Sequence, residues 1–296
     1  MRKLVLALLL LCLCPVAALA TRMRLTVPEE VPVGQPFFVE MRVNENISRV
    51  TLNWRGKSYP LGVRGNTVRT ILGVPNDAKL VGRTFTLAME FDCGRKGRIL
   101  AEREVTVTDH KYPRQELKVA PKMVNPPHTE QNRIVNEKKL VDRVLAKRAP
   151  GPPLPAKFVR PVRGIPTAFF GGFRVYNGVP RSGHNGLDLR AATGTQVKAI
   201  ADGTVVLTGR HYFSGGAVYI EHGNGVFTSY FHLSKVLVKK GQRVRAGSVI
   251  ALSGATGRVT GPHLHLGLYA GGTWLDALPL FGEAPMAPGV EAFYEF

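Results

Sequence analysis

Apolar and polar residues alternate in short runs from residue 21 to about 109, and each run ends in turn-forming residues. Such a period of two places successive side chains on opposite faces of a strand. It predicts strands over 24–27, 37–43, 50–54, 59–61, 68–72, 85–91 and 101–107. Pro32-Val33-Gly34-Gln35-Pro36 and Arg55-Gly56 serve among the turns. Residues 110–157 read differently, because Pro113, Pro121, Pro126, Pro127, Pro150, Pro152, Pro153 and Pro155 break regular structure. Between these prolines a 3.6 period predicts one helix over 129–147. Thr129 is its expected cap, Ile134, Val141, Val144 and Leu145 lie on one face, and Lys138, Lys139, Arg143 and Lys147 make a solvated basic face. From Phe158 onward short strands return, over 197–200, 203–207, 217–220, 226–232, 249–252 and 264–269. Gly223-Asn224-Gly225 marks a hairpin between two of them.

The pattern predicts an all-β protein of two units, and 296 residues allow each unit its own core. Residues 21–109 form a β-sandwich, immunoglobulin-like in a loose sense. Residues 110–157 are a helical, Pro-rich connector. Residues 158–282 make a second β domain, and 283–296 a C-terminal tail. The first twenty residues belong to neither unit. Arg2 and Lys3 precede an apolar run over 4–14, then Pro15 and Ala18-Leu19-Ala20, which reads as a secretory signal peptide cut after Ala20. As a membrane anchor the run is short and interrupted by Pro15. A lipoprotein signal needs a small residue where Leu11 and Leu13 precede Cys12 and Cys14. No later segment is long and apolar enough to span a bilayer, so no transmembrane segment is expected.

Cleavage removes Cys12 and Cys14 and leaves Cys93, expected as a buried structural thiol; one cysteine makes no intrachain disulfide. The formal net charge is +19, and leaving out Arg2 and Lys3 takes 2 from that figure to give +17. Such a charge favours polyanions. For an exported chain these are anionic wall polymers or lipid head groups. Nucleic acid is not expected, because the basic residues are dispersed and carry no aromatic-interleaved motif.

The chemistry concentrates in the second β domain. In Gly261-Pro262-His263-Leu264-His265-Leu266-Gly267 a strand would turn His263 and His265 to one face, and Leu264 and Leu266 to the other. Alone, such a pair reads equally as two core histidines with hydrogen-bond partners. His184-Asn185-Gly186-Leu187-Asp188 adds an imidazole and a carboxylate, and Tyr230-Phe231-His232-Leu233 adds a third segment, with His232 and Tyr230 expected on one face. Together they suit a catalytic zinc, which takes three N or O ligands and keeps one open position. Two further histidines remain for proton transfer and oxyanion stabilisation. The cysteine count excludes a Cys-rich closed site, and no Gly-x-Ser-x-Gly element supports serine hydrolysis. Of the other histidines, His222 is expected to be structural, His211 a solvated loop residue, and His110 and His128 part of the connector.

These segments, with Val244-Arg245-Ala246-Gly247 and the run from Ser253 to His265, resemble the lysostaphin-like, or LytM-type, zinc peptidases that cut peptidoglycan cross-links. The resemblance covers roughly residues 158–282, and Leu266 stands where an aromatic is frequent. It implies an open antiparallel β-groove, with one zinc per chain held by His184, Asp188 and His265, and with His232 and His263 acting beside it. The implied function is an exported zinc metalloendopeptidase acting on peptidoglycan peptide stems. The periplasm is the expected location, extracellular release the alternative, and a monomer the expected state. Two rivals are a non-enzymatic regulator or wall-binding module that activates a separate amidase, and a toxin-like enzyme. The first is marked by lost ligands, which this chain keeps; the second by a wall-targeting module, which is not evident. The glycine bridge and the D-amino-acid cross-link stay open as the bond cut. The 21–109 domain is expected to restrain the groove by folding across it, with a spacer or docking role as alternatives.

Overall fold

The computed structural model of the protein describes residues 21–47, 49–92 and 97–295, without the side chains of 114–115 and 180–182. Residues 1–20, expected as a signal peptide, and Cys93, expected as a buried thiol, therefore lie outside the described residues. The chain is mostly β. Its N-terminal part is two facing sheets. One has the order Val290–Glu295, Arg22–Val27, Pro36–Val43, Thr67–Gly73. The other runs Glu30–Pro32, Arg98–Thr108, Thr84–Asp92, Arg49–Trp54, Lys57–Leu61. Alternation does what the sequence pattern implies: Met23, Leu25 and Val27 of the first strand are buried, while Arg22 is exposed. Their neighbours in the core include Phe37, Leu52, Trp54, Leu87 and Phe91. Trp54 meets Phe37 edge to face at 5.5 Å and donates its indole N–H to the Gly73 carbonyl at 2.9 Å. The segment 283–296 is more than a tail. Its strand Val290–Glu295 pairs antiparallel with Arg22–Val27, Glu295 opposite Arg22 and Val290 opposite Val27, and so covers an edge of the first sheet.

The second unit is an eight-stranded sheet. Its path is Pro166–Ala168, Leu187–Arg190, His263–Ala270, Val226–Leu233, Gly215–Gly223, Gly203–His211, Arg243–Val244, and Thr273–Leu275 also pairs with the histidine-bearing strand. Its buried face packs Leu187, Leu189, Val218, Ile220, Leu264 and Leu266 into one core. Asn224 and Gly225 both have positive φ, 57° and 74°, the backbone a two-residue hairpin requires.

The connector holds more structure than its prolines suggest. Arg114–Leu117 is a strand, parallel to Phe173–Tyr176 in a small sheet completed by Val179–Gly183. The helix spans His128–Leu145 and follows Pro127 with no side-chain cap, so Thr129 lies inside it and does not cap it. Val141 and Val144 pack on Leu207, Ala217 and Tyr219, as the apolar stripe requires. Among the described residues no helix is long and apolar enough to cross a membrane.

Asn224 joins the parts. Its Oδ1 accepts from the backbone N–H of Gly62 in the sandwich and of Gly151 in the connector, both at 2.9 Å, and its Nδ2 donates to the Pro152 carbonyl at 3.2 Å. It is buried, so truncation strands amides that water cannot reach. Asn224→Ala is expected to destabilise the protein by about 2–3 kcal/mol, read as a lower urea midpoint with far-UV dichroism unchanged at zero denaturant. The sandwich is thus docked on the hairpin end of the second unit. Gln35 also reaches Asp276 at 3.3 Å, and Gly73 abuts Leu275. It does not fold across the histidine-bearing face as expected: the cleft there is lined from the connector and the second unit, by Leu117, Val119, Arg174, Tyr176, Asp188 and His263 among others.

Candidate active site

Strand pairing builds the site. Leu187–Arg190 and His263–Ala270 are antiparallel, with Asp188 opposite His265 and Arg190 opposite His263. Directly opposed residues share a face, so these four side chains leave the sheet on one side. Leu264 and Leu266 leave on the other side and are fully buried. His184 comes from the end of Val179–Gly183. Its backbone is pinned to a glycine turn, with His184 N–H donating to the Gly172 carbonyl and Gly171 N–H to the His184 carbonyl. Against that turn lies the Tyr112 ring. A Cβ on Gly171 would sit 2.3 Å from Tyr112 Cδ1, so only glycine fits there. Tyr112 itself donates to the Val33 carbonyl of the sandwich at 2.7 Å.

The three donor atoms His184 Nε2, Asp188 Oδ1 and His265 Nδ1 converge. The two nitrogens are 2.9 Å apart, His184 Nε2 is 3.0 Å from Asp188 Oδ1, and His265 Nδ1 is 2.9 Å from it. All three residues are buried. His184 Nδ1 faces the Phe169 carbonyl at 2.9 Å and must carry the proton there, which leaves Nε2 with a lone pair. That lone pair points at a carboxylate oxygen, an acceptor facing an acceptor. One proton on His265 Nδ1 cannot satisfy both partners, whereas a cation between the three does. The donor set, two imidazoles and one carboxylate, is that of a hydrolytic zinc site. Burial alone would push the Asp188 carboxyl up, but where the His184 and His265 rings carry a proton toward it, their charge and hydrogen bonds outweigh burial and hold it well below the usual carboxylate range, as a bound cation would. Burial takes His265 down to about 4, so it rests neutral with a ring nitrogen free to coordinate.

His263 and His232 stand beside this trio. His263 Nε2 lies 3.7 Å from Asp188 Oδ1, and the His232 and His263 rings are 4.7 Å apart. Each donates its Nδ1–H to a backbone carbonyl, His232 to Thr256 at 2.8 Å and His263 to Gly261 at 2.9 Å, which leaves Nε2 bare. Burial, with the neighbouring His265 and His263, pushes His232 down to about 3. His232 reaches the site by breaking strand alternation. Its φ is +63°, left-handed backbone that a side chain other than glycine seldom adopts. Phe231 and His232 therefore both face the site, the Phe231 ring stacked on His265 at 5.0 Å. Tyr230 points the other way into the core, where its oxygen accepts from Ile200 N–H at 3.0 Å. The expected shared face of Tyr230 and His232 is thus corrected.

Sequence reasoning passed over Arg174, whose guanidinium Nη2 donates to Asp188 Oδ2 at 2.6 Å and whose Nε is buried without a partner. It sits in an ordinary four-residue strand, and nothing in its spacing marks it. Gly186 was part of the motif, but its reason is steric. A Cβ there would lie 2.5 Å from His265 Nε2.

His211 ends a strand and is buried, 6.1 Å from the Tyr219 ring, so it is not a solvated loop residue. His222 is buried and fully bonded, Nδ1 donating to the Asp202 carbonyl at 2.7 Å and Nε2 2.8 Å from the Thr228 hydroxyl. Burial pushes it down to about 4. An unfolded histidine titrates near 6.5. Between those values the unfolded chain binds a proton that the folded chain refuses, so stability present above pH 6.5 is lost as pH falls toward 4. The loss is roughly 3 kcal/mol. Urea midpoints at pH 7 and pH 4.5 should therefore differ more for the wild type than for His222→Gln.

Residues 182–277 match the sequence profile of Peptidase family M23, a span that holds His184, Asp188, His232, His263 and His265. The chain carries an M23 peptidase domain. This M23 domain is 50% identical over 107 residues to the peptidoglycan DD-endopeptidase ShyA of Vibrio cholerae, covering 36% of this chain and 24% of that one. Over 82 residues it is 51% identical to the DD-carboxypeptidase/endopeptidase Mpg of Neisseria meningitidis, covering 28% of this chain and 19% of that one. The match thus spans a quarter or less of these relatives. A crystal structure from Pseudomonas aeruginosa described as a peptidase M23 superposes with a TM-score of 0.63 at 27% identity. It covers 86% of this chain and 96% of that one, so the likeness extends well beyond the M23 domain.

Proposed function

We propose that the protein is an exported zinc metalloendopeptidase that hydrolyses peptide cross-links of bacterial peptidoglycan, acting in the periplasm. The observation that carries this reading is the convergence of His184 Nε2, Asp188 Oδ1 and His265 Nδ1 within 3.0 Å of one another. Zinc bound there supplies Lewis acidity toward a water and toward the scissile carbonyl oxygen. The chain's own residues do the rest. Arg174 and the Phe169 carbonyl fix the orientation of Asp188 and His184. His232 and His263 each hold Nδ1 on a backbone carbonyl and leave Nε2 bare, so each can accept a proton from the attacking water. The imidazolium so formed can then return that proton to the leaving amine or hydrogen-bond the developing oxyanion. Phe231, stacked on His265, screens that ligand from bulk water.

Named relatives that cut DD bonds in peptidoglycan support the substrate class. The high positive charge suits residence near anionic wall polymers or lipid head groups. The test is incubation of the purified mature chain with intact sacculi, with mass analysis of the muropeptides released and zinc measured per chain. Release of uncross-linked stems by protein holding one zinc supports the reading; intact sacculi at full zinc occupancy overturn it.

A further inference from the structure

The cleft beside His263 and Asp188 has a volume near 280 Å³, enough for one or two amino-acid residues. Its charge is one-sided. Arg174, Arg190 and Arg258 line it, and Asp188 is the only acid among the described residues that do. Asp188 is already faced by the Arg174 guanidinium and two imidazoles, so it cancels none of the remaining charge. Arg190 differs from the other two. Arg174 is tied to Asp188, and the Arg258 guanidinium sits over the Tyr176 and Phe213 rings at 4.6 and 4.5 Å. Arg190 is exposed and has no acidic partner among the described residues. It lies opposite His263 and two residues beyond Asp188 on the same face. A long guanidinium side chain placed there reaches the space next to the reacting centre.

We infer that Arg190 is a specificity-determining residue that binds a free carboxylate on the carbon adjoining the scissile nitrogen. The inference rests on the peptidase reading and narrows its substrate class. In any peptide cleavage the acyl side has its carboxyl locked in the scissile bond. A free carboxylate immediately beside that bond must therefore belong to the leaving-amine residue. A cross-link or terminal bond between two D-residues offers that group, whereas the interior of a glycine bridge does not. Guanidinium matches a carboxylate with two parallel hydrogen bonds, which adds direction to the charge attraction. The cleft thus favours bonds whose leaving residue carries a free carboxylate, the terminal or cross-linking D,D bond among them, over the interior of a glycine bridge.

The test uses N-acetyl-D-alanyl-D-alanine and its C-terminal amide. Binding of each to the full mature chain is followed by NMR titration, with the metal as purified and again after chelator treatment. The acid is expected to bind about tenfold tighter than the amide in both preparations. Arg190→Gln should erase that preference, and Arg190→Lys should keep part of it. The chelator-treated arm separates Arg190 from any pull of the metal on the carboxylate. Equal binding of acid and amide by the wild type overturns the inference, as does a preference undiminished in Arg190→Gln or no binding of either peptide. Arg190-dependent binding by a chain that leaves sacculi intact would instead strike the proposed reaction and leave the carboxylate site standing.

Discussion

His265→Ala is expected to abolish zinc retention and reduce sacculus hydrolysis to background, the largest effect of any single substitution here. Three donors converge in the site, and removing one leaves a two-ligand site that cannot compete with solvent or chelator. The Phe231 ring would also lose its stacking partner, and Asp188 the imidazole opposite it. Elemental analysis of dialysed protein and dye release from labelled sacculi measure the two losses. Far-UV dichroism controls for folding, which the apolar core on the other face of the strand should preserve. A His265→Ala protein that kept stoichiometric zinc would exclude this residue as a ligand. Arg174→Gln gives a graded contrast. It keeps all three donors but removes the guanidinium from Asp188 Oδ2, and a loss of about 10–100-fold in metal affinity is expected.

Substitution of His232 or His263 should separate chemistry from metal binding. Each is expected to keep zinc and to lose about 10²–10⁴-fold in turnover, because proton transfer and oxyanion contacts act on the barrier and leave the ligand set intact. His232 calls for a careful choice of variant. Its backbone is left-handed, which alanine tolerates poorly and asparagine better, so His232→Asn removes the base with the least backbone strain. For His263, glutamine replaces the imidazole on a regular strand. Zinc content and turnover on the same preparations decide the matter. Near-normal turnover in both variants would remove these histidines from the reaction, and loss of zinc in either would make that residue a ligand.

Much of this molecule was legible as a chain of letters. Period-two alternation located the long strands, since one face of each is buried and the other is not. Arg22–Val27 and Arg49–Trp54 are clear instances. The His-x-His spacing placed two imidazoles on one face for the same local reason, and Gly223-Asn224-Gly225 announced its hairpin through positive φ. The motifs at 182–188, 230–234 and 253–265 identified the family because their order along the chain is itself information. Tertiary structure decided the rest. The strand Arg114–Leu117 is short and proline-flanked, and becomes a strand only because Phe173–Tyr176 offers it an edge. Val290–Glu295 exists as a strand through a partner more than 260 residues away. His232 enters the site through a left-handed residue that no alternation rule foresees. Arg174 matters only because folding sets it against Asp188. Local pattern encodes which face of an element seeks the core, and that is a property of neighbours in sequence. Which edges pair, which carboxylate meets which guanidinium and where the sandwich docks depend on contacts between distant residues, and those exist only once the chain has closed on itself.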